Sequence, residues 1–312
     1  MEWHFRTIGM GTLNYRIAAR RLAAEASSTG LFVTSEGFSE SFLKDSSPDF
    51  WLDHRKVLSA KTPGFGWWVW KPEFIWKSLT SIPEGDGLLY LDAGSFIGRD
   101  AQSVSSIASF IQITSQSGIS ASNNQPFIEK YYSSTRFMNH VNLAQQDRNS
   151  NQFWAGCLFL VNIESTRNLI QQWKYLCCVN DHDFLLAKAN SVDEVPGFVH
   201  CMHDQAILSA LLKNAQVHVI EVGDRDRDGA IRGLRHRFGY AFEEDRYHKK
   251  VFFLLLDFLD FFFDGIFSFL LDFLTLTLIM LFLYLGFLGL EFIPVIFIKF
   301  VLNFLTSVFV RF

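Results

Sequence analysis

The run Gly85-Asp86-Gly87-Leu88-Leu89-Tyr90-Leu91-Asp92-Ala93-Gly94 constrains this chain more than any other. A short apolar run opened by Gly-Asp-Gly and closed by Asp-Ala-Gly reads as a strand buried on both faces, and so as part of a parallel sheet. Its C-terminal end sets down one carboxylate, Asp92, followed by two small residues. Ligands of open α/β sheets bind just beyond the carboxyl ends of the strands. A carboxylate there, with neighbours small enough to let a ligand approach the backbone, suits a metal–diphosphate or a sugar. Asp and Gly are also common turn residues, so the same letters describe a strand that ends in a turn.

The segments around this strand follow an α/β pattern. Phe5–Gly9 reads as a first strand, Met10–Tyr15 as a loop, Ile17–Ala26 as a helix and Leu31–Thr34 as a second strand, which is a βαβ opening. Asp45–Lys61 is polar and aromatic without periodicity and is expected to be irregular. Gln102–Ile113 reads as a helix, Ser115–Gln125 as a Ser/Asn-rich loop, and Asn139–Asn151 as a polar loop near the site. Ala155–Val161 is a further buried strand, and Ser165–Cys177 an amphipathic helix with Leu169, Trp173 and Leu176 inward. Asp204-Gln205 precedes an apolar-periodic run, Ile207, Leu208, Leu211 and Leu212, so Asp204 lies at or near a helix start. Helix capping alone would account for an Asp there.

The composition breaks at Lys250. Residues 251–312 hold half of the chain's 34 Phe, and Phe273–Leu290 is uncharged and just long enough for a membrane span. Phe292–Val310 is a second candidate, weakened by Lys299 and Pro294. Asp257, Asp260 and Asp264 share one helical face ahead of both, which suits a helix at a membrane interface. Arg246, His248, Lys249 and Lys250 precede the tract, and the positive-inside tendency puts them on the cytoplasmic side. We therefore expect two parts: a domain over 1–250 and a membrane-associated, Phe/Leu-rich helical tail over 251–312. The formal net charge of −4 and pI near 6.1 give no reason to expect nucleic-acid binding. The spacing of Cys157, Cys177, Cys178 and Cys201 fits neither a zinc site nor a disulfide framework.

Upstream of the central strand stands Gly64-Phe65-Gly66-Trp67-Trp68-Val69-Trp70-Lys71-Pro72-Glu73, an aromatic loop feeding a helix with Pro near its first turn. This segment together with Leu89-Tyr90-Leu91-Asp92-Ala93-Gly94 resembles bacterial polysaccharide- and glycolipid-type nucleotide-sugar glycosyltransferases of the GT-A class, over roughly residues 1–240. The resemblance implies a Rossmann-like, mixed and mostly parallel sheet flanked by helices. It also implies a nucleotide-diphosphate sugar as donor and a glycan or lipid-linked acceptor; with the basic cluster on the cytoplasmic side, the expected setting is the cytoplasmic face of a bacterial inner membrane. The family's acidic motif is usually Asp-x-Asp. Here Gly94 stands where the second acid is usual, so a divalent cation (Mn or Mg) is expected at Asp92 only weakly, through water, or not at all.

By the same resemblance, Gly9 and Tyr15 lie near the donor nucleotide, with Trp70, Lys71, Asp92 and Gly94 on the donor. His236-Arg237 resembles a basic motif that contacts the diphosphate, where cations stabilise charge on the leaving group. Trp154, Gly156 and His203 line the sugar and acceptor pocket. His203-Asp204-Gln205 is similar to a late motif of the family, with Asp204 as general base or transition-state stabiliser and Gln205 on sugar hydroxyls. Two other functions fit parts of the sequence. One is a non-catalytic sugar-binding or assembly protein with the same fold. The other is a metal-dependent phosphohydrolase built on His182-Asp183 and His203-Asp204.

Overall fold

The computed structural model describes residues 1–186, 194–220, 222 and 229–233. The first half contains β1 (Trp3–Gly9), α1 (Leu13–Ser28), β2 (Thr34–Ser39), α2 (Glu40–Ser46), α3 (Pro48–His54), α4 (Gly64–Trp67) and α5 (Trp70–Thr80). Then follow β3 (Gly87–Leu91), β4 (Phe96–Ile97), α6 (Ala101–Ser117), β5 (Ile119–Ile128), α7 (Glu129–Tyr132), α8 (Thr135–His140) and α9 (Gln145–Arg148). The last are β6 (Asn151–Val161), α10 (Glu164–His182), α11 (His203–Asn214), β7 (His218–Ile220) and β8 (Ile231–Arg232).

Six strands form one sheet in the order β2-β1-β3-β6-β5-β7. The β1–β2, β1–β3 and β5–β7 pairs are parallel, and β6 runs antiparallel to both its neighbours. The sheet is therefore mixed and mostly parallel, with β6 the one reversed strand. β4 and β8 pair separately as a small antiparallel ribbon.

The central strand shows why its sequence is continuously apolar. Leu88, Leu89, Tyr90 and Leu91 are all fully buried. Strand side chains alternate between faces. Leu88 and Tyr90 pack with Phe74, Ile75 and Leu79 of α5, Trp173 of α10 and Ile207 of α11. Leu89 and Leu91 pack on the other side with Leu22 and Ala26 of α1 and Ile107 of α6. Helices thus cover both faces, and the polar C-terminal edge of β3 is left to open outward at Asp92.

Four local expectations are corrected. The second strand is Thr34–Ser39, not Leu31–Thr34: Phe32 packs its ring on Phe5 while the pairing with β1 starts at Thr34. Within 45–61, α3 and the end of α2 are helical. Each helix has 7 residues, too few for a periodic signal, yet they bury Leu43 and Phe50. Ser115–Gln125 is the end of α6 and most of β5, because β6 supplies a pairing partner for a segment whose Ser120, Ser122 and Asn124 are buried polar residues. The polar stretch 139–151 contains α9 rather than being a continuous loop. Residues 234–312, with His236, Arg237 and the whole apolar tail, lie outside the described residues. Among the described residues no helix is long and apolar enough to cross a membrane.

Candidate functional site

Three chain segments meet at the C-terminal edge of β3. Asp92 follows the strand directly, and its backbone N–H extends the pairing to the Gly156 carbonyl at 2.9 Å. Lys71, in the first turn of α5, places its Nζ 3.1 Å from Asp92 Oδ1 and 3.0 Å from Asp204 Oδ2. Asp204 comes from the first turn of α11. The side chains of Lys71 and Asp204 are each 4% exposed, whereas that of Asp92 is 33% exposed. Asp92 is therefore the carboxylate the cleft presents, with a buried ion pair behind it.

The charges of this group are set by competition. Burial pulls the Lys71 ammonium down, but Asp204 and Asp92 together outweigh it and hold Lys71 above the ordinary lysine range. Burial pushes Asp204 up to about 6, against the pull of Lys71 and with the help of Asp92. Asp204 Oδ2 and Lys71 form a buried ion pair at 3.0 Å. The capping explanation for Asp204 does not hold: Met202 occupies the cap position, no side-chain cap bond forms, and the carboxylate turns to Lys71. Trp173 Nε1–H donates to the Asp204 carbonyl at 2.9 Å and ties this turn to α10.

Tyr90 completes the group. Its hydroxyl donates to Asp92 Oδ1 at 2.7 Å, and burial followed by the neighbouring carboxylate raises its pKa well above that of a free phenol. Sequence reasoning treated Tyr90 only as part of the strand. The signal was present, because residues two apart on a strand share a face, so Tyr90 and Asp92 had to point the same way.

The aromatic segment lies against this group in an unusual backbone form. Gly64, Phe65, Gly66, Trp67 and Trp68 have φ of 59°, 54°, 100°, 51° and 60°. They make one left-handed turn, with Trp67 N–H donating to the Pro63 carbonyl and Trp68 N–H to that of Gly64. Left-handed backbone costs an L-residue about 1–2 kcal/mol, so Phe65, Trp67 and Trp68 must be held there by their surroundings. Trp70 Nε1–H does part of this, donating to the Gly64 carbonyl at 2.8 Å. Strain of this kind clusters at functional sites. Its product here is the placement of the half-buried Trp68 ring, stacked on His203 at 6.0 Å and facing the Lys71 ammonium at 6.0 Å. Like Tyr90, Trp68 was not singled out by the sequence; it stands in the left-handed turn three residues before Lys71 and ahead of α5.

The remaining expected residues divide into those at the group and those beside it. Gly156 is at its edge: a Cβ there would stand 2.4 Å from Trp154 Nε1 and 2.7 Å from Asp92 Oδ2. His203 is itself left-handed (φ 51°), and its Nδ1 lies 2.7 Å from the Leu185 carbonyl. Burial, more than that hydrogen bond can offset, lowers its pKa. Trp70 is buried beneath the left-handed turn. Gly94 is half-buried in the turn after Asp92. Gly9 is a point of close approach, where a Cβ would strike the Tyr15 carbonyl at 2.1 Å, and Tyr15 sits near the exposed start of α1.

Gln205 Nε2 donates to Gln152 Oε1 at 2.8 Å, and Gln152 Nε2 to Glu129 Oε1 at 3.0 Å. Glu129, fully buried, also accepts from Ser133, Ser209 and Lys213. This network fixes the first turn of α11 against β6 and α7.

The residues of the proposed hydrolase site are engaged separately. His182 Nε2 is 3.0 Å from His54 Nδ1, and Asp183 pairs with Arg136. Among the described residues no three His, Cys, Asp or Glu converge as metal ligands. The donor set at Asp92 does not fit a divalent ion either, since an ammonium already stands between the two carboxylates.

Gly156→Ala tests the tightness of this corner. Trp154 is 5% exposed and cannot move aside freely, so overpacking is expected to cost about 1–3 kcal/mol, measured by denaturant unfolding. An unchanged midpoint would show that the corner has slack.

No protein-family model matches the sequence, and no curated protein matches it. Among solved structures the chain is similar to the apo form of mouse xyloside xylosyltransferase 1, with 10% identity over 70% of this chain and 84% of that one and a TM-score of 0.37. It is also similar to the galactosyltransferase LgtC in complex with donor and acceptor sugar analogues, with 15% identity, coverage of 72% and 74%, and a TM-score of 0.36. A third likeness is to the apo structure of the bifunctional glycosyltransferase WbbM, with 9% identity, coverage of 68% and 37%, and a TM-score of 0.34. At these scores the likenesses carry no argument about activity.

Proposed function

We propose that this chain is a glycosyltransferase that moves a sugar from a nucleotide-diphosphate donor to a glycan or lipid-linked acceptor. The observation that carries this reading is Asp92: a partly open carboxylate at the C-terminal edge of the sheet, beside Trp68 and the Trp154–Gly156 corner. Carboxylates accept hydrogen bonds from sugar hydroxyls, and indole faces take the apolar faces of sugar rings. With both acids ionised, the Lys71 group keeps one negative charge, which favours hydroxyls over a bare diphosphate at that spot. Asp92 is therefore assigned to the sugar, with Tyr90 and Lys71 holding its oxygens in place. The basic cluster Arg246–Lys250 before the apolar tract supports work at the cytoplasmic face of a membrane.

Hydrolysis of a panel of UDP- and GDP-sugars by the purified protein, followed as release of free sugar, tests the proposal. Turnover of one donor supports transfer. Binding without turnover favours the sugar-binding alternative, and neither binding nor turnover with any donor overturns the reading.

The pH profile carries a further expectation. Asp204 loses its proton near pH 6, and only its ionised form holds Lys71 by charge. The kcat/KM for donor hydrolysis should rise with pH through a limb near 6, and Asp204→Asn should remove that limb. A limb that persists in the variant would assign it to another group.

A further inference from the structure

We propose that Lys71 is the resident cation of this cleft, standing where a divalent ion would otherwise bridge Asp92 and Asp204. Nζ lies 3.1 and 3.4 Å from the two oxygens of Asp92 and 3.0 Å from Asp204 Oδ2. Two carboxylates, completed by water and phosphate oxygens, are enough to hold a small divalent ion at about 2.0–2.1 Å. The acids here thus suffice in number, and the obstacle is the ammonium between them.

Lys71 is also fixed in that position. Its side chain is 4% exposed, it leaves from the first turn of α5 beside Pro72, and the Trp68 ring closes over its Nζ. Withdrawing it would leave Asp204 buried and uncompensated, which is costly. Replacement by a metal would need an ion to pay that cost and to take the carboxylates from a bound cation of matching charge sign. The absence of a second acid at Gly94 has the same physical sense: the position that would add a further carboxylate is filled by hydrogen, and the positive charge is supplied from within the chain.

The inference deepens the sugar-donor reading, and only one arm of its test depends on that reading. The full-length protein in detergent is titrated with Mn²⁺ alone, and free Mn²⁺ is read by electron paramagnetic resonance. Wild type should take up no stoichiometric Mn²⁺ below about 1 mM. Lys71→Met should gain one Mn²⁺ in that range, and Lys71→Met with Asp92→Asn should lose it again. A stoichiometric wild-type Mn²⁺ lost on Asp92→Asn overturns the proposal, whichever variants fold. A folded Lys71→Met that still takes no Mn²⁺ overturns it too. The second arm repeats the wild-type titration with UDP present, and Mn²⁺ uptake that appears only then and needs Asp92 also counts against it. The arm without nucleotide reads the three side chains alone, so its result stands even if no sugar nucleotide is a substrate.

Discussion

Lys71→Met is expected to lower stability by about 3–5 kcal/mol at neutral pH, the usual cost of removing one partner from a buried ion pair. The size follows from where the charges sit. Lys71 and Asp204 are both nearly sealed from water, so a carboxylate left alone cannot recover its hydration. Met fills the stem of the lysine, so the loss is one of charge rather than of volume. The pH dependence identifies the cause. Asp204 already binds its proton more tightly in the folded chain than in the unfolded one, at about 6 against 3.8, so its ionisation weakens the fold as pH rises through that interval. Without Lys71 the folded value rises further, and the deficit should be largest above pH 7 and shrink towards pH 5, where Asp204 is neutral. Lys71 behaves oppositely: held above 10.5, it contributes fully below the unfolded value and is lost only as pH climbs through the folded one. Denaturant midpoints of both proteins at pH 5 and 8 check this. A deficit that does not change with pH would place the cost in packing instead of charge.

The part of this arrangement legible in the sequence was the part written in short-range pattern. The Gly-Asp-Gly and Asp-Ala-Gly brackets around Leu88–Leu91 located β3 and its exposed end, because a strand buried on both faces leaves a continuous apolar signature. Ile207, Leu208, Leu211 and Leu212 placed α11, and with it Asp204. What was not legible depends on pairing at a distance. β5 reads as a polar loop because Ser120, Ser122 and Asn124 find their partners only when β6 and β7 lie on either side. The left-handed turn at 64–68 could not be derived from composition, since three of its five residues are types that ordinarily avoid that conformation. Most of all, Lys71 and Asp204 look like a surface lysine and a capping acid when each is read in its own neighbourhood. Only the packing of α5 and α11 on one face of β3 makes them a buried pair, and that changes what Asp92 can be asked to do.

Asp92→Asn should separate function from stability. Asn has nearly the same shape, its carbonyl oxygen can still accept from Tyr90, and Lys71 keeps Asp204 at 3.0 Å. The fold should therefore lose little. The ligand side loses more: a charge-assisted hydrogen bond to a sugar hydroxyl becomes a neutral one, and one acceptor oxygen becomes a donor. Hydrogen bonds to charged groups contribute about 1.5–3 kcal/mol, and each 1.36 kcal/mol is tenfold in rate. Donor hydrolysis by Asp92→Asn should thus fall about a hundredfold in kcat/KM while the unfolding midpoint stays close to wild type. Lys71→Met, by contrast, should lower both together. The contrast matters because Lys71 holds the Asp92 carboxylate itself, and a purely structural role for the group would make the two variants fail alike. If Asp92→Asn keeps wild-type kcat/KM on a donor the wild type turns over, the exposed carboxylate is not on the reacting sugar, and the site must be sought elsewhere along the edge of the sheet.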